Sequence, residues 1–260
     1  MIVSMTTTLR AARRRRALRH HTTRLLLALV VAAIALVTPM VPATAQEAAT
    51  QAPVIVNVRV EGATTTIFEG PVTTDGHDVT TAAGGTHPCD GTNGNANPEP
   101  GPTATAALDD AARSGEFTFD GTFSSQFDDF FITRIGPDEQ TDTAFIGIFR
   151  NFEPTPVGGC QQRVEPGDDV LFAYDAFVGE NPKRTLALAG PNVTTVGQPI
   201  TVTVTDGATG EPVSDATVDG TTTGADGTAT VTLDEAGVAR LKAERSGAIR
   251  SNSLFVEVTS

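Results

Sequence analysis

The stretch from Gly158 to Tyr174 constrains the fold more than any other part of the chain. Gly158-Gly159-Cys160 sets one of only two cysteines behind paired glycines, and Glu165-Pro166-Gly167-Asp168 then turns the chain into a strongly apolar strand, Asp169-Val170-Leu171-Phe172-Ala173-Tyr174. The other cysteine is Cys89. In an exported chain the two are expected to pair, closing a loop of about 70 residues, and a free-thiol nucleophile is not expected.

Export is what the N-terminus predicts. Arg10, Arg13 to Arg16, Arg19 and Arg24 make a basic region, Leu25 to Val37 is an unbroken apolar run, and Ala43-Thr44-Ala45 supplies small residues for a signal peptidase. Thirteen apolar residues are short for a membrane span. Arg14-Arg15 resembles a twin-arginine signal, but its neighbours match poorly, so general secretion is expected, with cleavage between Ala45 and Gln46. Ser253 to Ser260 alternates like a strand and carries no sorting motif, so the mature chain is expected to be released or held at the surface without a covalent anchor.

Cleavage would leave 31 acidic residues against 11 basic ones, a net charge near −20. Such a surface repels phosphate backbones and excludes nucleic acid as a partner. It also keeps an exported protein soluble.

Aromatic residues divide the mature 215 residues: twelve of 13 phenylalanines and the only tyrosine lie between Phe68 and Phe177. Gly179-Glu180-Asn181-Pro182 is the natural joint. In the first unit Val54 to Val60 alternates, with its valines facing a core, and Thr64 to Glu69 returns as a second strand. A Gly/Asn/Pro loop over 81–102 follows. Ala104, Ala107, Leu108, Ala111 and Ala112 then form one helical stripe, capped by Thr103 and ended by Gly115. Phe117 to Phe123 reads as a hairpin on Asp120-Gly121, and Phe130 to Ile135, Ala144 to Phe149 and Asp169 to Tyr174 as strands. Two strands, one helix and more strands is the order of a β-grasp, although propensity alone leaves other α+β folds open. The second unit reads as short strands only: Ile200 to Val204, Thr228 to Leu233, Ala239 to Ala243 and Leu254 to Val258. That spacing suggests a β-sandwich of immunoglobulin type. With neither a Cys pair nor Trp, it resembles bacterial Ig-like or carboxypeptidase-regulatory-like modules.

A family resemblance runs through residues 53 to 177. Its blocks are Val58-Arg59-Val60-Glu61-Gly62 with Ile67-Phe68-Glu69-Gly70, the Thr105 to Asp109 helix, Phe130 to Ile135, Phe145 to Asn151, and Val157 through Cys160 to Tyr174. These are similar to a domain of unknown function found in secreted bacterial proteins, itself similar to the C-terminal domain of cobalamin carriers (transcobalamin-like). The resemblance implies a β-grasp-like fold and an extracellular setting. Cobalamin carriers enclose their ligand between this domain and a large helical barrel, which this chain lacks. Phe145 stands where the family often has Trp, and no ligand-binding residue is carried over.

Several groups are candidates for chemistry. His77 and His87, the only mature histidines, lie among Gly, Thr and Pro without a nucleophile motif and read as surface residues. The pairs Asp109-Asp110, Asp128-Asp129 and Asp168-Asp169 read as structural or surface groups, since neighbours on a strand point to opposite faces and the first pair lies on the solvated side of the helix. The 89–99 loop is oxygen-rich but fails the EF-hand pattern at most positions, so no metal is expected. Phe117, Phe119, Phe123, Phe127, Phe130 and Phe131 read mostly as core, with a groove beneath the 81–102 loop as the place for a ligand.

The expected organisation is therefore a signal peptide (1–45), a linker (46–52), an α+β β-grasp-like domain (53–177), a linker (178–185) and an all-β Ig-like sandwich (186–260). The expected function is a secreted, non-catalytic binding or cell-envelope-associated protein. It would have an unknown extracellular or cell-wall partner, no cofactor and no membrane span in the mature chain. The alternative is an extracellular carrier of a small molecule, a cobalamin-like cofactor.

Overall fold

The valines of Val54–Glu61 (β1) face the core as their alternation predicts, with Val56, Val58 and Val60 fully buried. The opposite face holds a surprise. Arg59 and Glu61 are buried too, 1% and 3% exposed, so this end of the strand is covered on both sides. Charged groups stand that deep only with partners, and most of these come from the far half of the chain. The computed structural model describes residues 52–97 and 99–260. The expected signal peptide, its cleavage between Ala45 and Gln46, and nearly all of the 46–52 linker lie outside them.

After Thr66–Thr74 (β2) come His77–Thr81 (β3), Gly85–Cys89 (β4), the helix Ala104–Gly115 (α1), Phe119–Ser124 (β5), Asp129–Ile135 (β6) and Asp138–Glu139 (β7). Gly147–Arg150 (β8), Glu153–Pro154 (β9) and Asp169–Ala173 (β10) follow. One sheet has the order β2-β1-β10-β8-β9, with β10 parallel to β1 and β2 antiparallel to it. The apolar run ending the Gly158–Tyr174 stretch is thus the middle strand, and Val170, Leu171, Phe172 and Ala173 are all fully buried. A strand covered on both faces reads as a continuous apolar run for that reason.

The expected α+β class is overturned. The described residues are mostly β, 49% strand and 6% helix, in several small sheets, which conflicts with a β-grasp. The three strands directly after α1 do not join the first sheet, although β8, β9 and β10 later do. β5, β6 and β7 form their own three-stranded sheet, and β3 and β4 a separate hairpin. Their phenylalanines pack on one another: Phe123 lies edge-on to Phe130 at 5.2 Å, and His87 of β4 stacks on Phe123. Part of the expected 81–102 loop is therefore strand. The expected Asp120-Gly121 turn is a register shift inside β5; the chain reverses later, at Asp128, which adopts φ 51°. Thr103 caps α1 as expected, but Gly115 is its last residue and Glu116 is the left-handed cap (φ 55°). Gly115 is small for another reason, since a Cβ there would sit 2.5 Å from the Phe68 ring.

Phe177–Val178 (β11) and Asn181–Pro182 (β12) pair as a minimal hairpin at the expected joint. Beyond them the described regular structure is all strand, as expected for this part: Arg184–Ala189 (β13), Val193–Thr195 (β14), Pro199–Asp206 (β15), Thr217–Val218 (β16), Thr221–Thr222 (β17), Thr228–Thr232 (β18), Gly237–Leu241 (β19), Ala243–Glu244 (β20), Ala248–Ile249 (β21) and Leu254–Thr259 (β22). They form sheets ordered β18-β15-β13-β21, β14-β22-β19 and β17-β16-β20. Asp219 and Gly220, both at positive φ, make the tight turn between β16 and β17 that such a pair favours.

Two main cores result. One joins α1 to β1, β10 and the phenylalanine-rich sheet; the other fills the C-terminal half around Leu186, Val202, Val204 and Val256. A third, small cluster sits between them, with Ile249 of β21 packed on Phe149, Leu171, Ala173 and Ala176.

Candidate functional site

Cys89 and Cys160 form a disulfide with a sequence separation of 71, as expected. A Cβ on Gly158 would collide with the Asp129 carboxylate, and one on Gly159 with the Thr105 hydroxyl. The two glycines before Cys160 are thus set by close approach. Asp129 accepts from the Cys160 N–H at 3.1 Å and the Phe130 N–H at 2.8 Å. Burial pushes its carboxyl up to about 6 against those hydrogen bonds. Its neighbour Asp128 accepts from the Gly94 N–H at 2.5 Å.

The histidines are not loop residues. His77 opens β3, its Nε2 3.1 Å from Asp109 Oδ2 and its Nδ1 3.3 Å from Asp75 Oδ1. Arg113 closes the cluster, 2.6 Å from Asp109 and bonded to Asp110. The hydrogen bond to Asp109 raises the His77 pKa above its usual value against the opposing effect of burial, helped by the charges of Asp110 and Asp109. The carboxylates expected on the solvated face thus clamp the hairpin to the helix. His87 stacks on Phe123 with ring centres 3.5 Å apart, and its Nε2 lies 3.1 Å from Gly84 O.

In the 89–99 loop Asp90 Oδ1 accepts from the Thr92 N–H and hydroxyl, and Asn97 donates to Gly91 O. These oxygens serve the loop itself, and among the described residues no His/Cys/Asp/Glu group is placed to hold a metal. Of the phenylalanines proposed for a groove, Phe123 and Phe130 pack with His87, while Phe127 and Phe131 are exposed. Asp168 accepts from Arg150 Nε at 2.6 Å, Asn151 Nδ2 at 2.8 Å and the Glu165 N–H at 2.7 Å, which fixes the Pro166-Gly167 turn.

Sequence reasoning missed the seam between the two main cores. Glu61 receives Arg250 Nε at 2.7 Å and also binds Lys242 and Thr66. Glu69 accepts from the Ser253 N–H and hydroxyl, both at 2.6 Å, and from Lys242 and Arg240, both at 2.9 Å. Burial alone would raise its carboxyl, but the Ser253 hydroxyl, the Lys242 charge and the other hydrogen bonds hold it at about 2. Arg250 also donates to Gly62 O, and Thr185 Oγ1 to Phe152 O. The available signal was the pair of charges in the Val-Arg-Val-Glu alternation of β1.

Beside this network lies a cavity of about 460 Å³, lined by Arg59, Phe152, Asp169, Leu188 and Phe255 among others. Arg59 Nη1 donates to Arg250 O at 2.7 Å, and its Cζ stands 5.6 Å from the Phe152 ring centre. Arg59 Nη2 is 3.7 Å from Asp169 Oδ1, too far for a hydrogen bond. Arg59 Nε and Nη2 and Asp169 Oδ1 are all buried without a hydrogen-bond partner in the protein. Burial raises the Asp169 carboxyl, and the Arg59 charge opposes it.

No protein-family model matches the chain, and no curated protein matches its sequence. The described residues include no helix long and apolar enough to cross a membrane.

Proposed function

We propose that this is a secreted, non-catalytic binding or cell-envelope-associated protein whose binding site is the cavity at the seam. One observation carries the reading: Arg59 and Asp169 hold unsatisfied polar atoms at that cavity. The groups a catalytic reading would use are engaged elsewhere, His77 in its carboxylate clamp, His87 against Phe123, and Asp129 and Asp168 in backbone turns. Unsatisfied buried polar groups are costly, and a ligand that pairs them recovers the cost. The disulfide supports an oxidising compartment, in keeping with the extracellular setting that the resemblance implies.

The carrier alternative gains little from the cavity. About 460 Å³ lies in the lower part of the range for drug-sized ligands, and a corrinoid is larger than those. The test is twofold. Mass spectrometry of culture medium should find a species beginning near Gln46, and the purified protein should be retained by cell-wall material or capture a component of the supernatant. A chain found only in the cytoplasm, or turnover of a substrate by the purified protein, would overturn the proposal.

A further inference from the structure

The proposed binding reading leaves the ligand open, and the chemistry of the seam cavity narrows it. Arg59 is fixed on one side: Nη1 is spent on Arg250 O, and the guanidinium stands over Phe152. What remains is Nε and Nη2, the two donors on one edge of the guanidinium, both buried and both without a partner. Parallel donors on one edge are the fork that accepts a carboxylate in two hydrogen bonds. Asp169 does not fill it, since its Oδ1 stands 3.7 Å from Nη2, an ion pair too long for a hydrogen bond, and accepts no hydrogen bond itself. Asp169 is the outer member of the pair, its side chain 21% exposed against 1% for Arg59.

Charge decides what can enter. A lone anion on Arg59 would face the Asp169 carboxylate, and a lone cation on Asp169 would face the guanidinium. A ligand carrying both charges on neighbouring atoms satisfies both. Glu69 also lines the cavity but is occupied by Ser253, Lys242 and Arg240. Pro71, Leu188 and Phe255 beside Phe152 give the remaining wall an apolar part, and Asn57 and Asn252 complete it, Asn252 being bonded to the Leu188 backbone.

We propose that the cavity binds a small zwitterionic α-amino acid with an apolar side chain, its carboxylate on the Nε/Nη2 edge of Arg59 and its ammonium on Asp169. This rests on the binding reading above and names the ligand class of the same site.

The test is isothermal titration of the purified protein with L-leucine and L-phenylalanine, then with N-acetylleucine, leucinamide and leucyl-leucine. The first two should give saturable one-to-one isotherms. N-acetylleucine lacks the ammonium and leucinamide the carboxylate, and each should bind at least about tenfold more weakly than leucine, the scale of one lost charged hydrogen bond. Leucyl-leucine, whose two charges are separated, should be weakened likewise; tighter binding than leucine would point to peptide termini and overturn the free amino acid. Asp169→Asn should weaken leucine about tenfold and strengthen N-acetylleucine, whose lone carboxylate then no longer faces a charge. Because the ligand series needs no variant, misfolding cannot hide the answer. No saturable heat with leucine or phenylalanine up to about 10 mM, or equal binding of leucine and N-acetylleucine, would overturn the proposal. Retention by cell-wall material alongside such a failure would leave the broader binding reading standing.

Discussion

At the scale of the residue, burial raises two carboxyls alike, but only one has the partners to reverse it. Glu69, held at about 2, contributes stability that is fully present above its unfolded value near 4.5 and is lost as pH falls through about 2. Replacing Glu69 with Ala removes a partner from Lys242, Arg240 and Ser253 together, and should cost about 2–4 kcal/mol in denaturant unfolding at pH 7. A loss under about 0.5 kcal/mol would mean the seam contacts are ordinary surface pairs. Asp129, pushed up to about 6, behaves in reverse. Its folded value lies above the ordinary 3.8, so its contribution is present below that value and is lost as pH rises through about 6. A carbon-detected NMR titration should find Asp129 near 6, and a value near 3.8 would contradict the burial described here. From sequence, Glu69 stood only at the end of a strand and Asp129 read as a structural or surface group. Their depth follows from long-range contacts, of Glu69 with Ser253 and of Asp129 with Cys160, which short-range patterning does not encode.

At the scale of the element, the most legible parts are those whose burial follows one period. The alanine stripe predicted α1, the valine alternation predicted β1, and the unbroken apolar run predicted β10 as a strand. In the C-terminal half β15, β18 and β22 were equally plain, because each presents one face to a core, whereas the short β14, β17 and β21, and β13 at the expected linker, were not read as strands. The elements that were misread have competing instructions. Asp120-Gly121 has the chemistry of a turn, yet tertiary pairing with β6 carries the chain straight through it. Thr86-His87-Pro88 reads as loop, but pairing with β3 makes it strand, with Pro88 opposite Asp78. Thr103 tests the cap directly: its hydroxyl accepts from the Ala106 N–H and donates to Cys89 O in a fully buried position. Thr103→Ala should therefore cost about 1–2 kcal/mol in thermal or chemical unfolding, whereas Thr103→Ser should recover most of the loss. Replacing both cysteines with alanine should cost about 4 kcal/mol in the chain-entropy picture, and an unchanged midpoint would contradict it.

At the scale of the whole molecule, the charged seam binds two cores that meet through the small Ile249 cluster. The boundary near 178–185 is proposed as the place where the chain can be cut without unfolding either side. Val178 is 64% exposed, and residues 178–182 all face solvent. Limited proteolysis should nick there first. The two pieces should stay associated at neutral pH through Glu61, Glu69, Lys242 and Arg250, and part as pH is lowered towards the Glu69 value of about 2. Pieces that separate at pH 7 would mean the seam holds nothing together.

The central claim is that binding happens at that seam, so amide hydrogen exchange should be measured on the protein alone and with isolated cell-wall material or a saturating ligand. The account predicts new protection in Asn57–Arg59, Glu69–Pro71, Ala187–Leu188 and Asn252–Phe255, the segments around the cavity. Protection confined to the exposed Phe127 and Phe131 region, with the seam unchanged, would contradict it.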